Sequence, residues 1–256
     1  MFIDLTKKIL NHSKYLIFNI NYIIKPINLK NLIVDIKIVT SFILCDLRTQ
    51  FFLKKRYFVK IKEHKNFLKQ KIISNDWFTA NIIGLEYFKD KEKLKKKNLN
   101  VLEIGSYQGN STMYFLNNLN IKKITCVDNF EGSDEHYKSE FNNIYDNFIY
   151  NTSNYRDKIV IKKCISKNFF NLNKNETFDL IYIDGSHHYE DVLIDAFESI
   201  KILNKNGYLV FDDFLWKYYK QKSNNPINAI KLLIKNNNNN LKILFTSYQI
   251  ILKKND

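Results

Sequence analysis

Val101-Leu102-Glu103-Ile104-Gly105-Ser106-Tyr107-Gln108-Gly109-Asn110-Ser111-Thr112 is the stretch that decides how this chain folds. It reads as a short buried strand, a glycine-punctuated turn and the start of a helix. Such a turn brings backbone close to a nucleotide-like ligand beyond the strand's carboxyl end. Its spacing differs from the dinucleotide G-x-G-x-x-G and lacks the Lys-Ser/Thr ending of a phosphate loop. Gly105 and Gly109 admit backbone angles, or a close approach, that a side chain would block. The whole chain has only six glycines, and most fall at similar junctions. That concentration separates the turn from an ordinary strand-to-helix connection.

On the carboxyl side of this turn, strands and helices alternate in the manner of a parallel sheet with helices on both faces. Strands are expected at 99–104, 123–128, 158–163, 178–184 and 207–212, and helices near 110–119, 136–150, 188–203 and 226–235. In the 188–203 helix, Val192, Leu193, Ala196, Phe197, Ile200 and Leu203 form an apolar stripe. Glu190, Asp191, Asp195 and Glu198 are then expected to face water. Leu241–Phe245 and Ser247–Leu252 read as adjacent strands joined by a tight hairpin, so the last pair is antiparallel. On the amino side, Ser74-Asn75-Asp76 supplies capping groups for a helix from about Trp77 to Leu94. Further back, Leu29, Leu32, Ile33, Ile36, Val39 and Ile43 recur at helical steps after a break at Pro26. Residues 1–75 are thus a helical, basic extension, and residues 76–256 the α/β domain.

Composition bounds the function. A chain of 256 residues with 45% apolar content supports one sizeable core. No apolar run approaches the roughly 20 residues of a membrane span, and Met1 to Ile20 lacks a signal-peptide pattern. Cys45, Cys126 and Cys164 lack zinc-ligand spacing and read as reduced thiols of a cytoplasmic protein. The net charge of +14 is uneven: residues 1–100 hold 21 Lys/Arg against 8 Asp/Glu, and residues 101–256 hold 19 against 18. An anionic glycan, membrane surface or nucleic acid would suit the basic part. Most of these lysines read as a solvated face in a chain rich in Lys, Asn and Ile.

The expected strand ends carry Glu103, Asp128, Asp184 and the pair Asp212-Asp213. Acids gathered at one rim repel each other unless cations or hydroxyl groups satisfy them. Asp128 suits the two hydroxyls of a ribose. Glu103 is close enough to the glycine turn to order it and to meet the amino acid end of a cofactor. Asp184, Asp212 and Asp213 suit a hard octahedral ion such as Mg²⁺. His187, three residues past Asp184, is placed to act as general base on a substrate hydroxyl. His188 reads as a helix N-terminal residue, and the sequence offers no partner for His12, His64 or His136.

With these residues in place, the chain from about Asp76 to Lys253 resembles the class I S-adenosylmethionine-dependent methyltransferases. The resemblance rests on the E-x-G-x-x-x-G form of Glu103, Gly105 and Gly109, on Val-Asp-Asn-Phe-Glu-Gly after Ile124, on Ile183-Asp184-Gly185-Ser186-His187, on Asp212-Asp213 and on the closing Tyr248-Gln249-Ile250-Ile251-Leu252. It is greatest to the branch that includes metal-dependent sugar O-methyltransferases of macrolide tailoring and relatives of cephalosporin hydroxylase-type proteins. The resemblance implies a Rossmann-like seven-stranded, mostly parallel sheet whose last strand is antiparallel. It also implies a cofactor site at Glu103, Gly105, Ser106, Gly109, Ser111 and Asp128. Ser166 would lie near adenine, although Cys164-Ile165-Ser166 lacks the usual glycine. Metal ligands match Asp184, Asp212 and Asp213, and the base matches His187.

The expected function is therefore metal-assisted O-methylation of a hydroxyl on a sugar, glycan or other small acceptor. The loop Asn129–Tyr137 and the segment Trp216–Pro226 are expected to cover that acceptor. Two rivals are an RNA-directed methyltransferase and an oxygenase-like relative. The first is disfavoured by the lack of an RNA-binding module and by a nearly neutral catalytic half. The second is disfavoured because oxygenase iron prefers two histidines and a carboxylate. Residues 1–75 have no counterpart in the resemblance and are open to homo-oligomerisation or to peripheral contact with an anionic inner membrane face.

Overall fold

The computed structural model describes residues 2–24, 32–132, 143–173 and 175–256. Seven strands form one sheet: β1 (Leu99–Ile104), β2 (Ile121–Asp128), β3 (Ile159–Lys163), β4 (Phe178–Ile183), β5 (Leu203–Phe211), β6 (Leu241–Thr246) and β7 (Ile250–Lys254). Their order is β3-β2-β1-β4-β5-β7-β6. The first five are parallel, and β7 runs antiparallel to both β5 and β6. The order reverses between β1 and β4, which is where open sheets of this kind bind ligands.

The helices are α1 (Phe2–Ile24), α2 (Leu32–Arg48), α3 (Lys54–Leu68), α4 (Ile82–Lys91), α5 (Asn110–Asn118), α6 (Ile144–Asn151), α7 (Ser166–Leu172), α8 (Tyr189–Ile202) and α9 (Pro226–Asn236). Along β4, side chains alternate between two cores: Ile181 and Ile183 join α7, α8 and α9, while Leu180 and Tyr182 join α4, α5 and α6. Helices thus cover both faces. The helix expected at 136–150 is seen from Ile144, its first part lying outside the described residues. β5 starts at Leu203, earlier than expected, because Leu203 already pairs with Phe178; the register then shifts before Tyr208, at an irregularity where Asn206 is left-handed (φ 59°). The helix expected over 77–94 divides. Asp76 caps a short 3-10 turn at Thr79–Asn81 (Thr79 N to Asp76 Oδ1, 3.0 Å), and α4 follows.

The N-terminal helices are built into this body. α2 passes through a π turn, Thr49–Leu53, into α3 with right-handed helical backbone throughout, making one rod from Leu32 to Leu68. The rod lies against the edge strand β6 and covers a sheet edge that would otherwise present unpaired backbone groups. Val34, Ile38 and Phe42 enter one core, and Cys45, Leu53 and Tyr57 the other. Truncating a ring as enclosed as Phe42 to alanine costs about 3–5 kcal/mol. Asp35, also buried, is neutralised by Lys231 of α9 at 2.6 Å.

Several expectations change. Leu32, Ile33 and Ile36 mark the outward side of the rod, while the buried side reads Val34, Ile38, Phe42 and Cys45. Helical periodicity alone cannot tell these faces apart, because both are apolar. His12 and His64 have partners after all: His12 Nε2 lies 2.8 Å from Asp46, and His64 Nε2 lies 2.7 Å from Asn110. His136 lies outside the described residues. No helix among the described residues is long and apolar enough to cross a membrane.

Candidate functional site

The turn after β1 has the shape its glycines predict. Gly105 sits at φ 84°, and a Cβ there would stand 2.0 Å from the backbone oxygen of Asp184. No relaxation of a side chain could relieve that contact. Gly109, at φ 86°, begins α5, and a Cβ on it would meet Thr152 and Phe148 at 3.0–3.2 Å. Asp128, at the end of β2, fastens the turn. Its Oδ2 accepts from the Ser106 and Tyr107 amides at 2.8 Å each, and its Oδ1 from the Phe130 amide at 2.6 Å. A carboxylate offers about four lone-pair sites, so these bonds leave little room for both hydroxyls of a ribose.

Glu103 has only half the role expected of it. It is fully buried beneath the turn and is absent from the cavity wall. Its Oε2 accepts from Ser106 Oγ at 2.8 Å and from Thr112 Oγ1. Burial raises its pKa, against the opposing hydrogen bonds of Ser111, Thr112 and Ser106. It orders the turn from behind and does not reach out to a ligand.

One cavity of about 1100 Å³ opens over these strand ends, enough for a nucleoside-sized cofactor together with an acceptor. Gly105, Ser106, Ser111, Asp128, Ser166, Asp184, His187, Asp212 and Asp213 all line it. Gly109 does not, and shapes the turn instead. Asp184 Oδ1 and Asp213 Oδ2 stand 3.9 and 2.8 Å from His187 Nε2. The donor atoms of these three residues lie within 4.8 Å of one another, a grouping able to hold a metal ion. Asp212 stands behind them, accepting from Asn81 Nδ2 at 2.9 Å and from Gln249 Nε2.

The acids press on one another. Burial and then the charge of Asp212 push the Asp184 carboxyl well above the usual range. Burial and Asp213 do the same to Asp212. Burial also acts to raise Asp213, but the charge and hydrogen bond of His187, with help from Tyr248, hold it below its ordinary value. Trp216 lies over the His187 ring at 5.2 Å, and Tyr219 and Tyr218 pack against Trp216. From α1, Tyr22 Oη donates to the Trp216 carbonyl at 3.1 Å and so holds the expected covering segment in place. Asn129 and Gly132 of the other expected cover line the cavity, and residues 133–142 lie outside the described set.

Two groups of residues escaped the sequence reading. Asp195 is buried on the cavity wall, where water was expected. It shares a helical face with Val192, Ala196 and Ser199, a spacing that the apolar stripe alone misassigned. Burial raises its pKa to about 7, with a Ser166 hydrogen bond opposing. The second group comes from the N-terminal helices: His12, Tyr15, Asp46, Thr49, Gln50 and Lys54 wall the same cavity. No spacing in the sequence links them to the strand ends.

The comparisons with known proteins agree with this fold. An O-methyltransferase from Bacillus cereus, solved in complex with SAH, matches over 86% of this chain and 100% of its own at 14% identity, with a TM-score of 0.52. A putative O-methyltransferase from Klebsiella pneumoniae matches over 85% and 98% at 11% identity, TM-score 0.51. The MycE methyltransferase of the mycinamycin biosynthetic pathway, solved with Mg and SAH, matches over 76% of this chain and 53% of its own at 16% identity, TM-score 0.52. At such identities the likeness shows the fold. An uncharacterized protein of Acanthamoeba polyphaga mimivirus is 29% identical over 125 residues, which make up 47% of this chain and 53% of that protein. The chain thus spans about half the length of this curated relative. Residues 102–214, from β1 to the turn after β5, match the family model of a methyltransferase domain, carried here on the Rossmann-like fold of the methyltransferases just described.

Proposed function

We propose that the protein transfers the methyl group of S-adenosylmethionine to a hydroxyl on a sugar-like or other small acceptor, with a divalent cation such as Mg²⁺ at the acid cluster. The observation that carries this reading is the convergence of Asp184, His187 and Asp213 in the cavity that also exposes the glycine turn. The donor set fits a hard cation: clustered carboxylates, two of which have pKa values raised by burial and then by a neighbouring acid. Asp184 and Asp213 would hold it. Asp212, whose oxygens already accept from Asn81 and Gln249, would join through a remaining lone pair. MycE, of the same fold, was solved with Mg and SAH. A bound divalent cation would supply Lewis acidity toward the acceptor hydroxyl.

The chain's own residues do the rest. Ser106, Ser111 and Ser166 line the cofactor end of the cavity, and the glycine turn fixes how closely its backbone approaches the ligand. Asp213 orients the His187 imidazole, which takes the acceptor's proton. Trp216 limits water at that ring. Because a sulfonium methyl is already reactive, positioning and deprotonation are the main tasks. His12, Thr49, Gln50 and Lys54 supply donors and acceptors suited to a polyhydroxylated acceptor.

Calorimetry with S-adenosylhomocysteine, with and without Mg²⁺, tests the reading. Micromolar binding is expected, accompanied by methyl transfer to glycan or phenolic acceptors that chelator and His187→Ala each abolish. Absence of any heat from well-folded protein overturns the cofactor assignment. Full transfer in chelator overturns the cation.

A further inference from the structure

The outward face of the N-terminal rod is the largest feature that methyl transfer leaves unused. Ile33, Ile36, Leu44, Leu47 and Phe51 recur at steps of three, eight, three and four residues and so share one side of the helix. All are exposed, Ile33 at 67% and Phe51 at 71%, and Phe52 (69%), Phe58 and Val59 extend the apolar surface along α3. Most exposed large apolar side chains among the described residues lie before residue 75. Soluble proteins rarely leave so much contiguous apolar surface bare unless something covers it.

The charge around that face identifies the covering partner. Residues 32–68 carry eight Lys/Arg and three acids. Two of those acids, Asp35 and Asp46, are buried and paired inward with Lys231 and His12. Arg56 and Lys60 pair with Asp90 and Glu63. Among the described residues no carboxylate stands within ion-pair distance of Lys37, Lys55, Lys62 or Lys65, and the Lys62 ammonium lies over the Phe58 ring at 4.6 Å. By helical spacing Lys37 follows Ile33, Arg48 follows Leu44 and Lys55 follows Phe51, each four residues on. The apolar stripe is therefore flanked by cations along its length. A second copy would bring the same positive charge to the contact. An anionic lipid surface supplies both an apolar interior for the stripe and negative headgroups for its flanks.

We infer that the exposed face of the Leu32–Leu68 rod rests on an anionic membrane surface, with Phe51 and Phe52 inserted at the headgroup level. The rod cannot cross the bilayer, and its opposite face is committed to the protein core, so it lies in the plane of the interface. The π turn that carries Phe51 and Phe52 outward also turns Thr49 and Gln50 toward the cavity. Surface attachment thereby sets the cavity beside the membrane. This inference does not depend on methyl transfer.

Co-sedimentation of the full chain with phosphatidylcholine vesicles, with and without phosphatidylserine, tests it at low and high salt. Binding is expected only with phosphatidylserine and is expected to weaken with salt. The double variant Phe51→Ser/Phe52→Ser should lose about tenfold or more in affinity. Lys55→Glu/Lys62→Glu, which leaves the apolar stripe intact, should lose most of the salt-sensitive part. S-adenosylhomocysteine binding and the melting temperature should be unchanged in both. The inference is overturned by equal binding to neutral vesicles, by no binding to either kind, or by sedimentation showing a dimer that the Phe51/Phe52 variant dissociates.

Discussion

The strand-end rim and the N-terminal rod wall the same cavity, yet they are made by opposite means. At the rim the acids Asp128, Asp184, Asp212 and Asp213 sit at or just past the carboxyl ends of strands, and their positions follow from sheet register. Ile104, Ile183 and Phe211 stand in successive parallel pairings, so the residues just after them must arrive side by side. In the rod, position follows from packing against β6 and α9, between residues some 200 places apart in the chain, such as Ser41 with Thr246 at 2.8 Å. The rim is held by geometry that tolerates almost no change. The rod is held by the packing of its buried face, and it touches the cofactor end where His64 meets Asn110.

If that contrast is right, the greatest effect should come from Gly105→Ala. Its added methyl would meet Asp184 backbone on a left-handed residue, and we expect loss of several kcal/mol of stability. Calorimetry should then detect no S-adenosylhomocysteine binding. Unchanged affinity would mean that the turn is far more pliant than its contacts imply.

Next in size is Asp195→Asn. An acid whose folded pKa is raised to about 7 adds stability that is complete below its unfolded pKa and lost as pH climbs through 7. Wild-type protein should therefore lose roughly 2 kcal/mol between pH 5 and pH 8 through this group. Asparagine should remove that loss, so the variant gains on the wild type as pH rises, read from denaturant midpoints. A parallel decline in both proteins would show that Asp195 is charged in the fold throughout.

On the rod side, Gln50→Ala should raise the acceptor KM about tenfold while leaving S-adenosylhomocysteine affinity and stability nearly unchanged. A fall in cofactor affinity would dissolve the division of labour between rim and rod. The smallest effect is expected from Glu103→Gln. The buried carboxyl has a raised pKa and makes no contact with the cavity, so an amide of the same shape should keep cofactor affinity within about threefold, by calorimetry. A loss of two orders of magnitude would put Glu103 back among the ligand-binding groups.

The same contrast explains what could be read in the sequence. The rim was legible because strand, glycine turn and terminal acid are neighbours in the chain. Gly105, Ser106, Asp128, Asp184, His187 and the Asp212-Asp213 pair all reached the cavity named for them. Glu103 was misjudged in direction, since its side chain alternates to the face opposite Leu102 and Ile104 and falls under the turn. Asp195 was missed because an amphipathic stripe gives a helix's phase only coarsely, and one acid on its margin can point either way. The rod's part in the cavity was illegible because it depends on contacts across most of the chain. Its apolar periodicity was visible, but it belonged to the outer side.

The wide turn at Thr49–Leu53 has a consequence of its own. It holds one residue more than a regular helical repeat, so it works as a phase adjuster between two lengths of helix. Deleting a single residue there would close it to a regular turn and leave Tyr57 and His64 in phase with Ile38 and Phe42. The same deletion within α2 or α3 would swing everything downstream by about 100°. A lineage that lost that one codon would keep its sheet, its acids and its buried rod face, but not the outward bulge at Phe51 and Phe52.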